Sequence, residues 1–203
     1  MPLPARRLEE ITRWRLFLKE NLRLESEFLH LTEYIPLPAK LLAPNFQFGS
    51  PRAAAFGLDC CTWLETCLRN LLASPRFDSD RNVVRARKKI QDMDLYRRAL
   101  DALVGLSRQE RMTSEQLLTI APFRAFVSDR NPDWFRKYSK FKHDRVALAN
   151  SWNMRDSLES LAGLSVVLHS FVAAGIVIDV QSRVFLGERY PSELATLTEL
   201  SSS

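Results

Sequence analysis

Glycine is scarce in this chain, six among 203 residues. A turn-rich β fold needs glycine where φ turns positive, and a phosphate-cradling loop needs several close together; neither pattern occurs. Cysteine is as sparse: Cys60, Cys61 and Cys67 are the only three. An odd number crowded into one short stretch argues against a disulfide framework, and no second ligand pair stands at zinc spacing. Cys60 and Cys67, seven apart, share a helical face and read as buried thiols. His30, His143 and His169 are too dispersed to ligate one metal ion, so neither metal nor cofactor is expected. The first residues, interrupted by Arg6, Arg7, Arg13 and Arg15, lack the apolar run of a signal peptide, which points to the cytoplasm.

What the chain has in quantity is Leu, Ala, Arg and Glu, a helix-favouring mixture. Its hydrophobic and charged fractions, 46% and 26%, suit one globular core rather than a disordered chain. Residues 161–178 carry no Asp, Glu, Lys or Arg across 18 positions, the lower edge of a membrane-spanning length. Ser165, His169 and Ser170 interrupt it, so the simpler reading is a central helix buried on all sides of a bundle, with no membrane partner.

The expected architecture is all-α: a helical bundle over 50–175, preceded by a long N-terminal helix (1–36) and a linker (37–49), and followed by a tail (176–203). The first helix covers 5–34, with Leu8, Ile11, Leu16, Leu18, Leu22, Glu25 and Leu29 in rhythm, and Pro36 and Pro38 end it. Ser50-Pro51 is a start signal for a second helix that Ser74-Pro75 ends. A third helix is expected over 83–105, with Val83, Ile90, Leu95, Leu100 and Leu103 facing the core. Thr113 and Gln116 resemble a capping box for a short helix over 114–119. Asn131-Pro132 opens a helix reaching about 146, and Asn153 caps an apolar helix over 154–174 that Gly175 ends. Ile178, Val180, Arg183 and Phe185 alternate with polar residues as a short hairpin or edge strand, and 192–200 add a last helical turn.

The net charge of +5 is unevenly spread. Residues 76–98 hold eight Lys/Arg against four Asp/Glu, and 130–145 hold six against two. Each stretch is net +4, so the remainder is net −3. Arg85, Arg87, Lys88 and Lys89 in the first stretch read as a solvated face or as a contact for nucleic acid.

The second stretch holds the candidate chemistry. At 100° per residue Trp134, Tyr138, Phe141 and Arg145 point one way, and Arg136, Lys140 and His143 the other, with Ser139 beside them. A guanidinium holds a phosphate with two parallel hydrogen bonds and stabilises charge that builds on phosphorus. An imidazole moves a proton near neutral pH. On RNA the 2′-hydroxyl serves as internal nucleophile, which dispenses with a metal. His143 and Arg136 are thus the candidate catalytic pair, and Lys137, Ser139, Lys140, Lys142 and Arg145 the candidate substrate contacts.

Tyr138-Ser139-Lys140-Phe141-Lys142-His143-Asp144-Arg145, followed by Ser157-Leu158-Glu159-Ser160-Leu161-Ala162-Gly163-Leu164, resembles the HEPN superfamily of helical bundles. The likeness is to bacterial members with a Tyr-Asn-x-x-Lys-His-x-Arg core and a following Leu-Ala-Gly-Leu helix; Pro122-Phe123 and Pro132-Asp133-Trp134 fit the same subgroup. It spans about 50–175. It implies an RNA-binding homodimer, in many members a metal-independent endoribonuclease, of toxin–antitoxin or phage-defence systems, with an antitoxin or defence protein as partner. The family spacing is an Arg, four to six residues, then His; Arg136 and His143 enclose six. Tyr138 and Ser139 stand where the commoner tight form of the pattern has Arg and Asn, which favours an alternative: a non-catalytic binding or assembly module using the same basic face. A third reading makes the Leu-rich first helix an oligomerisation element.

Two further expectations concern single residues. His169 reads as a hydrogen-bonded core residue, and His30 as a favourable charge near a helix C-terminus. Glu65 can pair with Arg69 or brace the basic motif, and the pairing is the expectation.

Overall fold

The computed structural model describes residues 5–34, 46–47, 49–88, 92–114, 118–144, 149–173 and 182–186. Six α-helices carry most of them: α1 Ala5–Thr32, α2 Pro51–Ala73, α3 Arg81–Ala86, α4 Met93–Val104, α5 Asp133–Phe141 and α6 Met154–Ala173. Three very short strands, β1 Arg111–Thr113, β2 Thr119–Ile120 and β3 Phe185–Leu186, form one antiparallel sheet in the order β2-β1-β3. The all-α expectation holds at the level of class.

The tightest pairing is α2 against α6, and local chemistry fixes both. Ser50 caps α2, its Oγ accepting from the Ala53 amide at 3.5 Å with Pro51 in the first turn. Asn153 and Asp156 form a reciprocal capping box on α6: Asn153 Oδ1 accepts from the Asp156 amide at 2.9 Å, and Asp156 Oδ2 from the Asn153 amide at 3.0 Å. Every residue from Ser160 to Phe171 is buried, as expected of a central helix. Three of its hydroxyls are satisfied by carbonyls: Ser157 donates to Ala53 at 3.1 Å, Ser160 to Ser157 at 2.9 Å and Ser170 to Val166 at 2.9 Å. Among the described residues no helix is long and apolar enough to cross a membrane. Gly175 lies outside them, as do Ile178, Val180 and 192–200.

The first helix turns a different face inward from the one expected. Trp14, Phe17, Asn21, Leu24, Phe28 and Leu31 are buried, a 3-4-3-4-3 stripe, whereas Leu16 and Leu22 stand exposed at 49% and 40%. Aromatic residues set the stripe, and counting leucines selected its neighbour. Trp14 packs on Phe171 and Phe17 on Trp63, so α1 shares the core of α2 and α6. Its aromatic stripe is spent within the chain, while Leu16 and Leu22 of the leucine stripe face outward. Glu25 is fully buried on this face. It accepts from Asn21 Nδ2 at 3.0 Å and from the Arg183 amide at 2.7 Å, so it ties the tail to α1; burial pushes its carboxyl up.

Two elements differ from expectation. The single helix over 83–105 is two, α3 and α4, because Asp80 and Asp92 each supply a cap: Asp80 Oδ1 takes the Asn82 and Val83 amides, and Asp92 Oδ1 the Leu95 amide at 2.8 Å. Gly105, at φ 64°, closes α4 in the left-handed conformation that glycine adopts without strain. Val83 and Leu100 are buried, Leu95 half-buried, Leu103 exposed, and Ile90 lies outside the described residues. Of the helix expected over 114–119, residues 115–117 with Gln116 lie outside the described residues, and Thr119 belongs to β2. Thr113, read as its cap, takes the Leu118 amide on its Oγ1 at 3.0 Å, pinning β1 to the segment that enters β2. Phe185 then extends the sheet as the expected edge strand, opposite Thr113.

The three cysteines are buried and free, and burial raises each thiol. His169 is the core residue expected. Its Nδ1 donates to the Ser165 carbonyl at 2.6 Å, and burial, then the Arg111 guanidinium, push the imidazole down from 6.5 to about 4. The unfolded chain therefore takes up this proton first. Stability contributed by a neutral His169 is complete above about pH 6.5 and is lost as the pH falls towards 4, roughly 3 kcal/mol in all. Urea titrations of wild type and His169→Gln at neutral pH and near pH 4.5 check this: wild type loses the larger share, and equal losses refute it.

Candidate functional site

α5 is short, and most of its character follows from its start. Pro132 precedes it in an extended conformation and Asp133 opens its first turn, a favourable charge at a helix N-terminus. The helix closes at Phe141, and the chain then turns through Lys142 and His143, the His143 amide donating to the Lys140 carbonyl at 3.0 Å. His143 thus sits in the turn after α5 rather than on the helix.

The inner face is aromatic. Trp134, Phe135, Tyr138 and Phe141 are all buried. Trp134 Nε1 donates to the Pro122 carbonyl at 3.2 Å, and its ring meets Phe123 edge-on at 6.0 Å between centroids. The same ring covers Gly163 of α6, where a Cβ would meet it at 3.3 Å. The Pro122-Phe123, Trp134 and Leu-Ala-Gly-Leu segments, distant in sequence, converge on one indole. Tyr138 donates to Glu65 Oε2 at 3.1 Å; burial, with this carboxylate nearby, holds its phenol well above the usual range.

The cations of the stretch divide into two groups. Lys142 Nζ lies 2.8 Å from both carboxylate oxygens of Glu65 and 4.3 Å from the centre of the Tyr138 ring. Lys137 Nζ donates to buried Asp156 at 2.6 Å and to the Ser151 carbonyl at 3.3 Å. Both lysines fasten the α5 region to the bundle, Lys142 to α2 and Lys137 to the start of α6. Arg136, Lys140 and His143 are exposed. Among the described residues Arg136 pairs with Asp133, a contact in which both side chains are mostly exposed, and such pairs contribute little stability. Among the described residues Lys140 and His143 make no ion pair. Ser139 donates back to the Phe135 carbonyl at 3.1 Å, and Arg145 lies outside the described residues.

Of the seven candidates, then, Arg136 and Lys140 on α5 and His143 in the turn after it are exposed and, among the described residues, held by no carboxylate of the bundle outside α5. Lys137 and Lys142 are engaged with carboxylates elsewhere. The expectation that Glu65 pairs with Arg69 is not what the structure has: Glu65 holds Lys142 and Tyr138, and Arg69 serves Tyr96. Sequence spacing along α2 favoured Arg69 four residues on; the competing partner comes from 77 residues away, across the bundle. Asp156 as the anchor of Lys137 went unanticipated for the same reason. Among the described residues no three His, Cys, Asp or Glu side chains are grouped to hold a metal ion. No protein-family model, curated protein or solved structure matches the chain.

Proposed function

We propose that this chain is a HEPN-like RNA-binding protein that cleaves RNA without a metal ion, acting as a homodimer within a toxin–antitoxin or phage-defence system. The observation that carries the reading is the sidedness of the α5 region. Four buried rings lock one face into the bundle, and a guanidinium, an ammonium and an imidazole remain in solvent on the other side. The convergence of the Pro122-Phe123, Trp134 and Gly163 segments supports the resemblance as well, since residues scattered along the motif prove to be contacts of one ring.

In this reading Arg136 and Lys140 hold the scissile phosphate, Arg136 exchanging Asp133 for it. His143 takes the proton from the 2′-hydroxyl as that oxygen bonds to phosphorus. The bond to the 5′-oxygen breaks, leaving a 2′,3′-cyclic phosphate and a 5′-hydroxyl whose proton comes from water or the partner subunit's His143. Purified protein incubated with total RNA in the presence of a chelator tests this. Wild type is expected to generate cyclic-phosphate ends, and His143→Ala to lower the rate about a hundredfold or more. Equal products from the two proteins remove His143 from the mechanism.

One observation favours the non-catalytic alternative: the Ser139 hydroxyl turns back onto its own helix, so nothing at that position reaches towards His143. A salt-sensitive complex with an acidic protein partner, with RNA left intact, would identify a binding module.

A further inference from the structure

We propose that a second anion site lies between α3 and α4, a groove that accepts a phosphate ester independently of the α5 region. The groove encloses about 540 Å³, within the range of small-molecule pockets. Ala86, Leu95 and Ala99 give its lining an apolar part, and Asn82 and Arg85 of α3 and Arg98 of α4 line it as well. Both arginines are exposed, and among the described residues neither makes an ion pair.

Asp92 and Asp94 line the groove too, and each has a partner of its own. Asp92 gives an oxygen to the Leu95 amide at 2.8 Å as the cap of α4. Asp94 Oδ1 accepts from Asn131 Nδ2 at 3.0 Å and pairs with Arg97, which is nine-tenths buried, at 3.4 Å. Arg97 also pairs with Asp129. These bonds hold Asp94 to the chain that leads into α5. Asp94 shares its charge with Arg97 and Asp92 keeps its own under the amide bond, while Arg85 and Arg98, which make no ion pair among the described residues, keep their donors for a ligand. Two such forks in a partly apolar lining suit a phosphate whose organic part lies on Ala86, Leu95 and Ala99. The neighbouring basic stretch adds long-range attraction.

The ester has two sources, a free small phosphate ester or a phosphodiester of an RNA strand, and both are tested in the His143→Ala background, where cleavage plays no part. Adenosine monophosphate is titrated calorimetrically, and a short fluorescein-labelled single-stranded RNA by anisotropy across a salt series. Paired substitution R85A with R98A is expected to weaken whichever probe is bound roughly tenfold or more. If the strand supplies the phosphate, the RNA arm alone falls, and its salt slope becomes shallower by about 0.7 for each lost contact. If the ester is free, the monophosphate arm falls. Arg98→Gln alone serves as the milder variant, with a smaller loss in the same arm. Wild-type-like affinity in both arms from a variant with an unchanged melting curve, or no binding of either probe by the parent, overturns the site. Its failure leaves the cleavage reading standing, since that rests on a comparison at His143, and monophosphate binding lost in the paired variant upholds the groove even where no RNA is cut.

Discussion

Substituting Gly57→Ala is expected to be among the most damaging changes of a single atom group in this chain. Gly57 is buried in α2, and a Cβ there would stand 2.1 to 2.3 Å from three atoms of the Trp152 indole. That ring cannot slide aside. Its Nε1 donates to Ser157 Oγ at 3.1 Å, Ser157 Oγ in turn donates to the Ala53 carbonyl at 3.1 Å, and the Trp152 carbonyl accepts from the Ser50 amide at 2.9 Å. Relief therefore requires either parting α2 from the start of α6 or expelling an indole that is 1% exposed. Overpacking of this kind costs about 1–3 kcal/mol, and losing a buried tryptophan about 3–5. The gain from a better helix former is only about 1 kcal/mol. A net loss of roughly 3 kcal/mol, or a melting temperature lowered by about 6–12 °C, is expected. Gly163→Ala is the matched control: its Cβ would meet Trp134 and Phe123 at 3.3 and 3.5 Å, so a shift of a few tenths of an ångström absorbs it. Thermal melts of the two variants decide the matter. A Gly57→Ala protein as stable as Gly163→Ala would mean that the indole does not lie on the α2 backbone.

Much of this frame could be read from the chain because its signals are local. Ser50-Pro51, Ser74-Pro75 and Asn153 act within one turn of themselves, and α2 and the start of α6 fall where those residues place them. The buried character of α6 was likewise written in a run of residues without charge. What could not be read depends on partners far along the sequence. The inward stripe of α1 is chosen by Phe171 and Trp63, which receive Trp14 and Phe17; leucine periodicity alone does not distinguish adjacent stripes. Thr113 offers its hydroxyl equally to a helix or a hairpin, and the backbone pairing of Arg111 and Met112 with Ile120 and Thr119 decides between them.

The candidate site divides the same way. Helical spacing separated the rings of α5 from Arg136 and Lys140, because both lie on one short element. That Lys142 is held by Glu65 and Lys137 by Asp156 follows only once α2, α5 and α6 are assembled. A run of lysines in sequence is thus a mixture: some members are structural ties, and the rest remain for a ligand. The net charge of residues 130–145 overstates the charge the site presents.

Trp134→Ala is expected to lower stability by about 3–5 kcal/mol and to take the α5 site with it. The indole is 1% exposed and touches Phe123, Phe135 and Gly163, while its Nε1 satisfies the Pro122 carbonyl. Truncation leaves a cavity bounded by α6 and an acceptor without its partner. α5 has nine residues, too few to remain helical in water without docking. Once the ring is gone, the ties from Lys137 to buried Asp156 and from Lys142 to Glu65 must hold the segment, and two ion pairs do not replace a buried aromatic face. Trp134→Phe separates the contributions. It keeps a ring against Phe123 and loses the hydrogen bond, so a loss of about 1–3 kcal/mol is expected. Urea titrations give the stabilities, and His143-dependent RNA cleavage measured well below each variant's transition shows whether the site follows. Undiminished cleavage by a Trp134→Ala protein that remains folded would mean that the basic groups act without their aromatic anchor, and the sidedness of α5 would then have no bearing on function.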